Sequence, residues 1–205
     1  MFRGLFAYDN PVFKVILVIG KIWWLNILFI LTSIPIITFG ASLSALSFSA
    51  MKCYEKDADI TVNYFRSFKS EFKKSTLLFI LYFVAGGIIS LNLIFWNRIY
   101  KGNGSLAWMI TAAVGVIYIM SLLYVFAIQA RFVNSIKRTM EYSIVFAIRN
   151  IHITVQMILI LGIVLYINFT SIFMVNFISF NFAFGLLGFT FAGYYKKIFN
   201  KYIRG

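Results

Sequence analysis

The residues that could support catalysis are few in this sequence, and they lie far apart. The single histidine, His152, has no second histidine at the spacing of a zinc-binding HExxH motif. The single cysteine, Cys53, has no histidine nearby in sequence that would activate it as a nucleophile. We therefore expect His152 to occupy a helix end or the membrane interface, and Cys53 to be a small packing residue.

The acidic residues do not form a catalytic pair or a proton relay. All six lie outside the long apolar stretches or at their edges, so no pair of carboxylates is expected at membrane depth. The chain also lacks the GxxxxGK[ST] loop that binds nucleotide phosphates. The sequence therefore predicts no enzyme, no catalytic residues, no metal site and no cofactor. The acidic residues are Asp9, Glu55, Asp57, Asp59, Glu71 and Glu141.

Six amide side chains within the apolar stretches have two possible roles. They could line a substrate path, or they could form hydrogen bonds between helices, which is the commoner role of amides in membranes. The second role is the simpler explanation, and the first stays open. These residues are Asn26, Asn92, Gln156, Asn168, Asn176 and Asn181.

The composition predicts an integral membrane protein. Of 205 residues, 61% are hydrophobic and only 12% are charged, and the mean hydropathy is +0.88. A water-soluble fold of this size could not bury so much apolar surface. Lys and Arg outnumber Asp and Glu by 19 to 6, and they lie between or beside the apolar stretches. This pattern indicates membrane topology and contact with anionic lipid headgroups.

Several stretches reach the length of about 20 residues that a membrane span needs. Residues 77–96 and 106–128 form one span each, and residues 153–195 contain no Asp, Glu, Lys, Arg or His over a length that suits two. Residues 15–37 form another apolar stretch, although Lys14 and Lys21 project from one face of it. The sequence therefore predicts an all-α polytopic membrane helical bundle, and residues 1–205 are expected to form a single integral membrane domain.

The segment after the first apolar stretch, residues 40–54, allows two topologies. If it lies on the cytoplasmic surface, the chain has five spans, and Lys21 is left inside the membrane. If it crosses back as a short return helix, the chain has six spans, and only Arg98 and Lys101 of the 19 basic residues lie outside. The positive-inside rule favours six spans. Close packing of this short helix is expected to depend on Pro35, Thr38, Gly40, Ala41, Ala45 and Ser49, with Thr38 or Ser42 as its N-cap.

Two amphipathic segments, residues 52–75 and 129–152, are expected in the cytoplasm in either topology. In the first, phenylalanines recur at helical spacing beside basic residues, and in the second Val133, Ile136, Met140 and Ile144 repeat the pattern. Such helices bind either the lipid headgroup region or a groove on a partner protein. If a partner docks here, the residues expected to contact it are Phe65, Phe68, Phe72, Arg131, Lys137 and Arg138.

The order of several sequence landmarks resembles the YesL family of small bacterial membrane proteins of unknown function. These landmarks are Asn10-Pro11, a Trp-rich first helix, "SIPIITFGASLSAL" (33–46), "YFRSFKSEFKKS" (64–75), "QARFVNSIKRTMEYSI" (129–144) and a basic tail. The P-x-x-T-x-G-x-x-x-x-A-L stretch at 35–46 is the most specific of them, although Ala41 stands where the family pattern has proline.

The resemblance implies an association with bacterial carbohydrate ABC importers, and it implies no catalytic residues. We therefore expect a non-enzymatic accessory subunit that contacts the lipid bilayer and permease or ATPase subunits of a sugar importer, and no nucleic acid. The alternative is an autonomous small transporter or channel. In either case the protein is expected in the cell membrane, with several spans and a cytoplasmic C-terminus.

Overall fold

The computed structural model describes residues 11–55, 59–99, 106–169 and 173–203, and these residues form helices and short connections without any strand. The all-α prediction is confirmed. The seven helices are α1 (Pro11–Ser33), α2 (Phe39–Tyr54), α3 (Ile60–Ile99), α4 (Leu106–Arg131), α5 (Ile136–Arg149), α6 (Ile151–Phe169) and α7 (Phe173–Ile203).

Five of the described helical segments are long and apolar enough to cross a membrane. The predicted return helix is among them, together with the one-turn 3-10 helix that precedes it. These five segments are not the five spans of the five-span alternative, because that alternative places the return helix on the surface and includes α7. The number of actual crossings stays a prediction. The five segments are Val12–Ser33, Ile36–Tyr54, Ile60–Ile99, Leu106–Arg131 and Ile151–Phe169.

The turn between α1 and α2 is closed by threonine and serine side chains. Thr38 is the N-cap residue of α2, but its side chain makes no capping bond. Its hydroxyl instead donates to the carbonyl oxygens of Thr32 and Pro35, at 2.5 and 2.6 Å. Ser42 donates to the Thr32 hydroxyl at 3.0 Å, and Thr32 also bonds the hydroxyl of Tyr64 on α3 at 2.6 Å. Thr38 therefore stabilises the turn rather than the first turn of α2.

Helix α2 is the centre of the fold, because it packs against α1, α3, α4 and α7. One face of α2 lies against α3: a Cβ atom added at Gly40 would lie 2.3 Å from the carbonyl oxygen of Ser75, and Ser44 and Ser75 share a hydrogen bond of 2.8 Å. Small side chains allow this close approach of the two backbones. The predicted packing residues Ala41, Ala45 and Ser49 are also fully buried.

Helix α3 joins the first amphipathic segment and the next span in one continuous helix of 40 residues. At 1.5 Å per residue its length is about 60 Å. Its first half packs beside α2, and its second half runs antiparallel to α4, where the Tyr82 and Ser121 hydroxyls are 2.5 Å apart. Helix α3 therefore connects the α1–α2 hairpin to the α4–α5 pair.

Enlarging Ala45 should push α2 away from its neighbours. Ala45→Leu adds three carbon atoms at a site with no exposed surface, and overpacking of this kind costs about 1–3 kcal/mol. We expect a lower midpoint of thermal unfolding in detergent. Ala113→Leu, on an exposed position of α4, is the matched control and should leave the midpoint nearly unchanged. Equal stability of Ala45→Leu and the wild type would contradict the tight packing of α2.

Candidate interaction surfaces

A cluster of charged groups joins the ends of three helices. The Glu55 carboxylate, just after α2, pairs with Lys52 at 2.8 Å and with Arg131 at the end of α4 at 2.9 Å. From α7, the ammonium group of Lys196 donates to the carbonyl oxygen of Tyr54 at 2.7 Å. One carboxylate and one exposed carbonyl group thus fix the relative positions of α2, α4 and α7 at this end of the molecule.

The charges around Glu55 determine its pKa. Burial by itself raises the pKa of this carboxyl, but the hydrogen bond from Lys52 and the positive charges of Arg131 and Lys52 outweigh burial, so the pKa lies below its ordinary value of 4.5. A carboxyl with a lowered pKa in the folded state stabilises the fold above its unfolded-state pKa, and this stabilisation disappears as the pH falls through the folded-state pKa.

Glu55→Gln should therefore weaken the pH dependence of stability in acid. Between pH 6 and pH 3 the wild type should lose more thermal stability than Glu55→Gln, because only the wild type loses these ion pairs by protonation. Glu141→Gln is the control, since Glu141 lies 4.0 Å from Lys137 on an exposed surface, where an ion pair contributes little. Parallel pH profiles for the wild type and Glu55→Gln would contradict the role of Glu55.

The two predicted amphipathic segments meet through a chain of polar contacts. The Gln129 side chain donates to the Glu71 carboxylate at 2.6 Å and accepts from the Thr139 hydroxyl at 3.0 Å. Lys74 donates to the carbonyl oxygen of Asn134 at 3.3 Å. These contacts join α3, the end of α4 and the start of α5, so residues far apart in sequence form one polar end of the fold.

The predicted phenylalanines of α3 do not share one environment. Phe65 is 48% exposed. Phe68 stacks on the buried Tyr64 with ring centroids 6.5 Å apart and packs against the core, and Phe72 is partly buried with its ring edge against Phe68. A groove along this face is lined by residues of α3 alone, namely Phe65, Phe68, Lys69, Ser70, Phe72, Lys73 and Lys74.

The predicted docking residues near α5 are also divided. Arg131 is engaged with Glu55, whereas the side chain of Lys137 is 88% exposed. Arg138 is exposed, and its backbone N–H lies 3.4 Å from the hydroxyl of Ser135, the N-cap of α5. Lys137 and Arg138 are therefore accessible to a partner, and Arg131 is part of the charged cluster.

The apolar pattern predicted for the second amphipathic segment marks the buried face of α5 only in part. Ile136 and Met140 are partly buried and pack against a hydrophobic cluster, whereas Val133 is 97% exposed and Ile144 is exposed. The buried residues of α5 are Thr139, Ser143 and Ala147. They are four residues apart and lie on the face of α5 that packs against α4. Thr139 and Ser143 face inward because they bond to Gln129 and Ser121, whereas Val133 and Ile144 face outward.

A cleft between α5 and the end of α7 was not predicted from the sequence. It has a volume of about 310 Å³. Phe146 forms its packed base, with ring centroids 4.7 Å from Tyr202 and 5.7 Å from Phe199. Aromatic walls, one guanidinium and one amide make this cleft suitable for a side chain or small amphipathic group. The lining residues are Phe132, Asn134, Tyr142, Val145, Phe146, Arg149 and Tyr202.

The amides predicted within the apolar stretches make contacts within and between helices. Asn26 on α1 is fully buried and bonds two backbone groups of α7, and Asn168 on α6 bonds the Ser179 hydroxyl at 2.8 Å. Asn92 and Asn181 donate to carbonyl oxygens one turn earlier in their own helices. Gln156 is exposed. Helix association accounts for Asn26 and Asn168, and these four bonded amides give no evidence of a polar path.

The two residues with potential for catalysis lie in different environments. Cys53 packs against the main hydrophobic core, and His152 is exposed in the first turn of α6. Across the described ranges, no group of three or more His, Cys, Asp or Glu residues could hold a metal ion. The polar end and the aromatic cleft present accessible polar and aromatic groups, and we treat them as candidate surfaces for binding.

The architecture defines a polytopic helical protein with several apolar helices of membrane-spanning length. Residues 22–93 match a family described as "Protein of unknown function, DUF624". The match covers less than half of the chain, from the buried part of α1 through α2 and most of α3. No curated protein and no solved structure matches the chain.

Proposed function

We propose that this protein is a non-enzymatic membrane accessory subunit of a bacterial carbohydrate ABC importer, which it aids in assembly, stability or gating. The direction comes from the resemblance to the YesL family, and the family match at residues 22–93 is compatible with it. The structural observation that carries the proposal is the aromatic cleft between α5 and α7, a concave surface of the kind that receives an anchoring side chain of a partner protein.

The residues of the cleft suit a protein partner. Tyr142 is 43% exposed and Arg149 is exposed, and tyrosine and arginine are enriched among residues that dominate binding energy at interfaces. The cleft also lies beside the loop that carries Asn134, directly before the accessible Lys137 and Arg138. A permease or ATPase subunit with an acidic rim around an apolar side chain would match this surface.

Affinity purification from native membranes tests the proposal. The wild type should retain permease or ATPase subunits of a sugar importer, and Tyr142→Ala combined with Arg149→Ala should reduce their recovery at least tenfold. Ile148→Ala is the matched control, because Ile148 is exposed on α5 but does not line the cleft. Thermal unfolding should show that all variants fold. Recovery of the same subunits at wild-type levels with the double variant would remove the cleft as the docking site.

The autonomous transporter alternative makes a different prediction. Purified protein alone in proteoliposomes would then carry substrate flux, whereas an accessory subunit would not. Failure of any transporter subunit to copurify with the wild type, together with flux in proteoliposomes, would replace the accessory role with a transport role.

The proposal places the protein in the cell membrane with its C-terminus in the cytoplasm, because the basic tail follows the positive-inside rule. Single-cysteine variants on a Cys53→Ser background test this placement. With six spans, Phe2→Cys and Gly205→Cys should both react only after the cell is made permeable. Reaction of Gly205→Cys in intact cells would contradict the cytoplasmic C-terminus, and reaction of Phe2→Cys alone would indicate an odd number of spans.

A further inference from the structure

The outward face of the first half of α3 carries positive charge that the described residues do not neutralise. We call Arg66, Lys69, Lys73 and Lys74 the basic face of α3, and all four are exposed. The ion pairs among the described residues involve none of them. Glu71, the single acidic residue of α3, is partly buried and bound by Gln129 at 2.6 Å. The Glu71 carboxylate is therefore directed toward α4, and its single negative charge is outnumbered by the four basic side chains.

The basic face lies next to a long apolar part of the same helix. Residues 75–97 of α3 carry no charge, and the predicted span begins at residue 77. At 1.5 Å per residue, Lys74 lies about 4.5 Å and Lys69 about 12 Å before this point. The headgroup layer on each side of a bilayer is roughly 5–8 Å thick, and its surface potential extends about 8 Å further. The lysines of α3 are thus spaced to reach lipid phosphates.

The apolar residues on this face favour a lipid over a peptide. Phe65 and Phe72 lie beside the lysines, and every residue that lines the groove belongs to α3. A bound peptide would need a second wall from another element to hold it, as in helix-in-groove recognition. A bilayer needs only a row of basic and aromatic side chains on one helix face. We propose that the basic face of α3 binds the headgroups of anionic phospholipids, with Phe72, about 7.5 Å before the predicted span, against the glycerol region.

The test compares lipid binding by the full-length protein in nanodiscs. Native mass spectrometry or a thermal-shift titration should show that the wild type prefers phosphatidylglycerol to phosphatidylcholine, and that salt weakens the preference. Lys69→Gln combined with Lys73→Gln should reduce the preference by about fivefold per lysine, as expected for a lysine at an anionic surface. These two lysines are chosen because Lys74 also bonds Asn134.

Lys137→Gln combined with Arg138→Gln removes the same number of exposed charges from α5 and is the matched control. This control variant should keep most of the wild-type preference for phosphatidylglycerol. The proposal is overturned if the wild type shows no preference for phosphatidylglycerol. It is also overturned if Lys69→Gln with Lys73→Gln keeps the wild-type preference, or if the control variant loses as much of that preference as this double variant. Release of a copurifying protein by Lys69→Gln with Lys73→Gln, at unchanged lipid preference, would instead assign the face to a protein partner.

Discussion

Gly185→Ala is expected to separate α1 from α7 and to reduce the free energy of unfolding by about 2–3 kcal/mol, the upper part of the overpacking range. The Cβ atom of an alanine at this position would lie 2.1 Å from the carbonyl oxygen of Ile22 and 3.0 Å from the Cβ atom of Asn26. The nearest atom belongs to the backbone of α1, so a rotamer change cannot relieve the contact. The two helices would have to move apart.

Gly162→Ala is the matched control, and its change in stability should have the opposite sign. Apart from the adjacent residues and backbone of its own helix, no atom lies within 4 Å of a Cβ atom added at Gly162, and replacing glycine by alanine inside a helix contributes up to about 1 kcal/mol of helix stability. Thermal unfolding in detergent should therefore show a lower midpoint for Gly185→Ala and an equal or higher midpoint for Gly162→Ala. Similar midpoints for the two variants would mean that α1 and α7 do not approach as closely as the structure shows.

Asn26→Leu is expected to produce the second large loss of stability, at the same contact. The amide of Asn26 donates to the carbonyl oxygen of Phe180 at 3.1 Å and accepts from the N–H of Gly185 at 3.0 Å. Leucine has the same number and branching of side-chain heavy atoms, so the shape is largely kept while both hydrogen bonds are lost. We expect a loss of about 1–3 kcal/mol in the free energy of unfolding, because the site is fully buried.

Asn92→Leu provides the comparison, because Asn92 is exposed and bonds Ile88 in its own helix. It should change the unfolding midpoint little. The double variant Asn26→Leu with Gly185→Ala should lose less unfolding free energy than the sum of the two single losses, since both substitutions act on one contact. Strict additivity, or equal losses for Asn26→Leu and Asn92→Leu, would show that the Asn26 bonds do not hold α1 to α7.

The helical architecture was predictable because long stretches without charge can satisfy their backbone groups in a membrane only as helices. The central position of α2 was less evident, although Gly40, Ala41 and Ala45 in one short apolar segment indicated close packing. The inward face of α5 was only partly predictable from apolar periodicity, because Ile136 and Met140 pack inward and other members of the pattern do not. Lipid and the interior of a helical bundle are both apolar. In a membrane protein, small and hydroxyl side chains such as Ser143 therefore mark the inward face better than apolar side chains do.

Contacts between distant parts of the chain could not be predicted from the sequence. Asn26 and Gly185 are 159 residues apart, and no local pattern indicates that an amide in α1 bonds the backbone of α7. The aromatic cleft could not be predicted for the same reason, because Phe132, Phe146 and Tyr202 come from three separate segments. Each aromatic residue by itself is unremarkable in a chain that contains 24 phenylalanines.

The central position of α2 has a consequence for biosynthesis. Its neighbours include α7, which is synthesised after the other described helices, and Gly188 and Gly193 of that helix lie against Leu46 and Tyr54. At ~5–20 residues per second, α2 waits roughly ten seconds for this partner after it is made. During that interval Leu46 and Tyr54 lack their final neighbours on α7, and this incompletely packed face is open to membrane proteases. A premature stop codon before α7 is therefore expected to leave this face of α2 uncovered and to lower the stability of the shorter chain.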